Sequence, residues 1–168
     1  VSDILVRPAV PGDEAGIARV HVQGWHEAYT GRIPSSLLDR MDIARYTERW
    51  GHTLAGKRPP GQPTGRSWVA VRDDEIIGFA SSGPCRDPDR SLDDLELYAI
   101  YLLAAHYGSG AGAALLEAAL GDRPATLWVL EDNPRAQAFY AKHRFDFDGA
   151  LRQDKRWGEV LHEVRMAR

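Results

Sequence analysis

The sequence lacks several features that would decide its function at once. It holds a single cysteine, Cys85. One thiol closes no internal disulfide and fits a reducing compartment. No apolar run approaches the length needed to cross a bilayer. The start, Val1-Ser2-Asp3, has neither the basic segment nor the apolar stretch of a secretion signal, so a cytoplasmic location without a membrane partner is expected. A block of basic charge is missing too. With 21 basic and 24 acidic residues the net charge is −3, and nucleic acid is not expected as a partner. The histidines show no metal-ligand spacing, so no metal is expected, and no internal repeat is visible. What remains is an ordinary globular composition, 43% hydrophobic over 168 residues, read as a single domain spanning residues 1–168.

Taken in order, Ile4-Leu5-Val6-Arg7 reads as a short strand stopped by Pro8 and Pro11. Asp13 and Glu14 open a helix, where the dipole favours acids, and Ile17, Val20 and His21 continue it towards Trp25 and Tyr29. Gly31 and Pro34 break it. Ser35 or Ser36 is expected to cap one second helix carrying Leu37, Leu38, Met41, Tyr46 and Trp50. Residues 55–66 are a Gly/Pro-rich surface connection. Residues 67–71 and 76–81 are strands of a hairpin turning at residues 72–75, and residues 83–94 form an irregular loop. Ala125–Leu130 is a buried strand. Asn133 caps a helix that has Pro134 at its first position. Phe145-Asp146-Phe147 and Val160–Val164 are closing strands around a turn at Trp157-Gly158. The order β-α-α-β-β-β-α-β-α-β-β fits a mixed α/β sheet better than strict alternation.

Most functional information lies between Glu96 and Leu120. Residues 96–103 are an apolar, aromatic run expected to be a strand buried on both faces. Residues 110–120 are an Ala/Leu-rich helix, and Gly108-Ser109-Gly110-Ala111-Gly112 joins the two. Glycines at these places turn backbone N–H groups outward with no Cβ in the way. A helix start adds unpaired donors and the positive end of a dipole. The result is an anion cradle, most naturally for phosphate. A nucleotide-hydrolysing loop would end in Gly-Lys-Ser/Thr, but Gly112-Ala113-Ala114 stands there. The dinucleotide pattern is met by Gly108, Gly110 and Ala113, with Glu131 further on, yet little chain follows Glu131 for more βαβ units.

The stretch resembles the central motif of the GNAT N-acetyltransferase superfamily, a strand running into a Gln/Arg-x-x-Gly-x-Gly/Ala loop and a helix. Gly110 and Gly112 match, and Tyr107 replaces Gln or Arg. A second match is Asn133-Pro-Arg-Ala136-Gln-Ala-Phe139-Tyr140-Ala-Lys-His-Arg144-Phe145, with Arg144 where the family commonly has Gly. Val20-His-Val-Gln-Gly-Trp25 to Tyr29-Thr-Gly31 resembles a bacterial GNAT branch whose acceptors are mostly unassigned.

This resemblance implies a GNAT acyl-CoA N-acyltransferase-like fold with its central strands splayed, a bulge near Tyr101 opening the V. It implies acetyl-CoA as cosubstrate and an amine acceptor, small molecule or peptide, joined by direct transfer in a ternary complex. The coenzyme is expected to rest on Ile100, Tyr101 and Leu102, on the cradle from Tyr107 through Gly108, Ser109, Gly110, Ala111, Gly112 and Ala113, and on Asn133 and Tyr140. Glu96 is the candidate base, its carboxylate set between apolar Leu95 and Leu97. Tyr140 is the candidate acid for the leaving thiolate. Trp25, His26 and Tyr29, with Trp68, are candidates for the acceptor pocket. His106 reads as an exposed loop histidine, and Cys85 has no histidine partner in sequence. The alternatives are a non-catalytic acyl-CoA sensor on the same fold and a dinucleotide-binding protein. A homodimer paired through edge or closing strands fits such folds.

Overall fold

A computed structural model describes residues 3–57, 64–91 and 93–168. Val1, Ser2 and Leu92 lie outside the described residues, as do residues 58–63 of the expected Gly/Pro connection. Seven strands, β1 (Leu5–Pro8), β2 (Arg66–Arg72), β3 (Glu75–Pro84), β4 (Leu95–Leu102), β5 (Ala125–Leu130), β6 (Asp146–Arg156) and β7 (Glu159–Ala167), form one mixed sheet in the order β1-β2-β3-β4-β5-β7-β6. The helices are α1 (Glu14–Tyr29), α2 (Ser35–Leu38), α3 (Ile43–Leu54), α4 (Ala111–Leu120) and α5 (Pro134–Lys142). Within the sheet β4 and β5 run parallel, and the other neighbours are antiparallel. A doubly wound dinucleotide domain needs consecutive parallel strands, so this sheet does not support that alternative.

Side chains alternate along a strand, and the two cores follow that alternation. Val69 and Phe79 pack with Ile17, Val20, Trp25, Tyr46 and Trp50 under α1 and α3. Their neighbours Ala70 and Ala80 pack on the opposite face with Leu115, Leu116, Leu120 and Phe145, under α4 and α5. Among the described residues no helix is long and apolar enough to cross a membrane.

The expected single second helix is two helices. Pro34 precedes α2 and gives it no side-chain cap, so neither Ser35 nor Ser36 acts as expected. The stronger start lies at Asp42, whose carboxylate accepts from the Arg45 amide at 2.8 Å. Extended φ/ψ at Asp42 breaks the path between the helices. Strand β6 is much longer than Phe145–Phe147. Its outer residues are polar, which hid it from an apolar reading, and Phe145 itself is fully buried just before it.

At the end of α5 Arg144 takes the left-handed turn that glycine usually supplies, with φ 67°. Its amide donates to Ala141 O at 3.1 Å, and its guanidinium reaches exposed Asp122 at 2.6 Å. A left-handed non-glycine costs about 1–2 kcal/mol, and glycine returns part of that through unfolded-state entropy. Arg144→Gly is therefore expected to raise stability by about 0.5 kcal/mol, read by urea unfolding.

Candidate active site

The sheet opens where β4 and β5 part. They pair only at Leu95–Ala125, Glu96–Thr126 and Leu97–Leu127. Beyond Leu97, β4 keeps β3 on its other side, while β5 stays paired to β7 as far as Leu130. The bulge that accompanies the parting is not near Tyr101. It lies three residues earlier, where Ser81 faces Ala99 and Ser82 faces Leu97, leaving Tyr98 as the extra residue. The strand is also not buried on both faces: Tyr98 through Leu102 are half-buried, because they form the wall of a cavity of about 820 Å³.

The glycine loop forms the outer rim of this cavity. Gly108 and Gly110 have φ 78° and 88°, and a Cβ at either would meet nothing within 4 Å. They are there for backbone conformation and open approach rather than for packing. Gly110 precedes α4 without a side-chain cap. The Ala111 amide has a distant contact with Ser109 Oγ at 3.4 Å. The Gly112 and Ala113 amides make no hydrogen bond to a described residue. Outward donors, a helix start and an open rim are what an anionic diphosphate requires.

Tyr107 sits on the rim, and Arg135 of α5 lies over it. The Arg135 guanidinium carbon is 4.0 Å from the ring centroid, and Nη2 donates to the phenol oxygen at 2.8 Å. The loop thus has a cation beside it, delivered from another element. Sequence spacing gave no signal for Arg135. Asn133 starts α5, its Oδ1 accepting from the Ala136 amide at 3.2 Å, and it also lines the cavity.

Tyr140 projects from α5 into the cavity and is buried. Its hydroxyl makes no hydrogen bond to a described residue. Burial first, and the Tyr29 phenol second, push its pKa well above the ordinary phenol value, so it stays protonated.

Glu96 is 2% exposed and lines the cavity, but its surroundings are not the apolar ones expected. Arg86 clamps it: Nε donates to Oε2 at 2.9 Å and Nη2 to Oε1 at 2.5 Å, and the Arg86 amide adds a third bond at 3.0 Å. The bond to Glu96 raises the Arg86 pKa.

At the inner end α1 brings His21, Trp25 and Tyr29 to one face at helical spacing, and all three line the cavity. Tyr29 Oη and Tyr101 Oη are 3.1 Å apart, and burial raises both phenol pKa values. Gly24 lets α1 approach closely, because a Cβ there would sit 3.2 Å from Tyr101 Cβ. The His21 ring stacks on Tyr101 at 5.5 Å, and its Nδ1 accepts from Trp50 Nε1 at 3.2 Å. Burial, then Arg49 and Arg156, lower the His21 pKa to about 3. His21 lies on the helix face that the sequence predicts, and Arg49, Arg152, Arg156 and Glu163 line the same cavity with no motif in sequence to mark them.

Two expected pocket residues lie elsewhere. His26 is exposed on another face of α1, and Trp68 packs with the opposite core. His106 is half-buried rather than exposed, with Nδ1 sealed and unpartnered among the described residues. Cys85 is buried with its sulfur 3.4 Å from Thr126 Oγ1. Among the described residues no cluster of three potential metal ligands is present.

Comparison with known proteins agrees with this geometry. The acetyltransferase (GNAT) family model matches residues 23–145. The chain is 35% identical over 141 residues to an uncharacterized N-acetyltransferase of Bacillus subtilis, covering 78% of this chain and 74% of the relative. It is 30% identical over 152 residues to a probable N-acetyltransferase of Mycobacterium tuberculosis, covering 88% and 83%. In fold it is similar to the PaiA N-acetyltransferase of Thermoplasma acidophilum, solved with coenzyme A, at TM-score 0.69 and 18% identity, covering 96% of this chain and 98% of that one. It is also similar to YncA of Salmonella typhimurium, solved with its cofactor acetyl-CoA, at TM-score 0.63 and 21% identity, covering 98% and 92%.

Proposed function

The chain belongs to the acetyltransferase (GNAT) family, and from that premise we propose that it moves an acetyl group from acetyl-CoA to an amine within one ternary complex. The observation carrying this reading is the parting of β4 from β5 above a left-handed glycine loop with unpartnered helix amides. A coenzyme fits there: the amides of Gly112 and Ala113 and the Arg135 guanidinium would hold the diphosphate. The backbone of Ile100, Tyr101 and Leu102, with Asn133, would take the pantetheine arm as an added strand. Bound acetyl-CoA supplies an acyl group already activated as a thioester.

The protein's part is placement and proton handling. The acceptor nitrogen forms a bond to the acyl carbon as the carbon–sulfur bond breaks. Tyr140 donates its phenolic proton to the departing sulfur. The proton lost by nitrogen goes through a water to Glu96 Oε1, which takes one donor from Arg86 where Oε2 takes two. That clamp is also what favours a second reading, an acyl-CoA sensor without turnover. Thiol release with a broad amine panel separates the two: turnover with at least one amine supports transfer, and tight coenzyme binding without turnover supports the sensor. In the active protein Glu96→Gln is expected to shift the pH–rate profile, and an unchanged profile removes Glu96 as base.

The proposal extends to a single cytoplasmic domain working as a homodimer. Supporting pairing, β6 is an open sheet edge, and Phe147, Leu151 and Val160 on the β6–β7 pair are exposed. Light scattering of the purified protein reads the dimer directly.

A further inference from the structure

We propose that the acceptor is a small amino-carboxylate with an aromatic or aliphatic body, and not a polycationic amine. The inference rests on acetyl transfer at this cavity and concerns the end walled by α1 and α3.

Three observations converge. The first is the wall itself. His21, Trp25, Tyr29, Trp50 and Tyr101 make a nest of rings, with Trp25 and Tyr29 edge to face at 5.0 Å. Such a surface takes a flat or branched apolar body.

The second is that its free polar groups are donors. The Trp25 indole N–H is sealed from solvent and has no partner among the described residues, in a side chain 6% exposed. An orphaned buried donor costs free energy until an acceptor arrives. His21 adds another donor. Because Nδ1 accepts from the Trp50 indole, the neutral ring carries its proton on Nε2. A carboxylate offers an acceptor lone pair to His21 Nε2, and to the Trp25 N–H once the side chains that seal it give way.

The third is charge. Glu163 is already engaged by Arg152 at 2.6 Å, and Arg156, whose guanidinium carbon lies 5.3 Å from the Trp25 ring centroid, is matched by Asp154 at 2.5 Å. Arg49 lines the cavity from α3 and has no ion pair among the described residues. Arg49 and Arg156 both lower the His21 pKa, while Glu163, held by Arg152, is the carboxylate that reaches this end and acts on the Tyr29 phenol. A polyamine would bring positive charge into that field. An amino-carboxylate matches it, and the same field favours the uncharged amine that attack requires.

The test uses the intact protein and matched acceptors: a set of amino acids, the corresponding carboxamides, and spermidine. Acetyl-CoA binding is measured first by calorimetry, so a failure of the coenzyme site is recognised separately. The expected result is kcat/KM at least about tenfold higher for carboxylates than for their carboxamides, the scale of one charge-assisted hydrogen bond. Arg49→Gln, at an exposed position, is expected to erase that ratio without changing the acetyl-CoA KM, and Arg49→Lys to restore part of it. Equal or better turnover of carboxamides or spermidine overturns the proposal and leaves acetyl transfer standing. With no turnover at all, acetyl transfer fails, and quenching of Trp25 and Trp50 emission still decides the ligand class. Carboxylate-selective quenching supports the proposal, and equal or absent quenching overturns it.

Discussion

Gly110→Val is expected to raise the KM for acetyl-CoA about a hundredfold, because losing roughly two charge-assisted bonds to phosphate costs about 3 kcal/mol. Gly110 sits at φ 88°, which a β-branched residue resists. The backbone relieves that strain by turning away, and the amides at the start of α4 turn with it. No packing is lost, since a Cβ at Gly110 meets nothing within 4 Å. The stability cost is therefore confined to backbone strain of about 1–2 kcal/mol. Gly121 is the matched control. It ends the same helix at φ 54°, again with nothing within 4 Å of an added Cβ, and it lies outside the cavity wall. With ψ −141° in a region open to little but glycine, Gly121→Val is expected to cost at least as much stability and to leave the acetyl-CoA KM unchanged. If both variants raise KM alike, the loop holds no phosphate and the effect is general loosening.

Tyr140→Phe is expected to lower kcat about a hundredfold, the low end of general-acid contributions, with the acetyl-CoA KM unchanged. The ring keeps its packing near Phe139 and Phe145, at 5.4 and 6.1 Å between centroids, so the fold is preserved. The hydroxyl has no partner among the described residues to lose. Because burial holds the phenol protonated, the donor persists at alkaline pH, and the variant is expected to keep the wild-type shape of the pH profile at a lower rate. Full turnover would remove Tyr140 from the proton path and leave it a packing residue.

Local signals were legible in the sequence where they are strong and self-contained. Pro134 after Asn133 marks a helix start whatever surrounds it, and the Gly108–Gly112 spacing marks a turn that only glycine makes easily. The break between α2 and α3 is hidden because Leu37, Leu38 and Met41 run on towards Tyr46 as one apolar series, and Asp42, which caps α3, reads as an ordinary polar position within it. The bulge at Tyr98 was misplaced because register belongs to a strand pair, not to one strand. The Arg86 clamp on Glu96 was invisible for a related reason. Arg86 stands ten positions before Glu96, in an irregular loop, and no spacing rule connects a loop arginine to a strand carboxylate. Arg135 over Tyr107 and Arg156 over Trp25 are likewise products of tertiary folding. The helical stripe His21, Trp25, Tyr29 did carry a signal, but an aromatic stripe reads as core until the open strands beside it are seen.

Backbone amide mapping by NMR during coenzyme A titration tests the central claim most directly, and the chain at 18.7 kDa suits it. The account predicts saturable binding with the largest shifts at Gly108, Gly110, Gly112 and Ala113, continuing along Ile100–Leu102 where β4 has left β5. Shifts clustered instead around Thr64, Arg66 and Glu117, where a second hollow lies, or no binding at all, would contradict it.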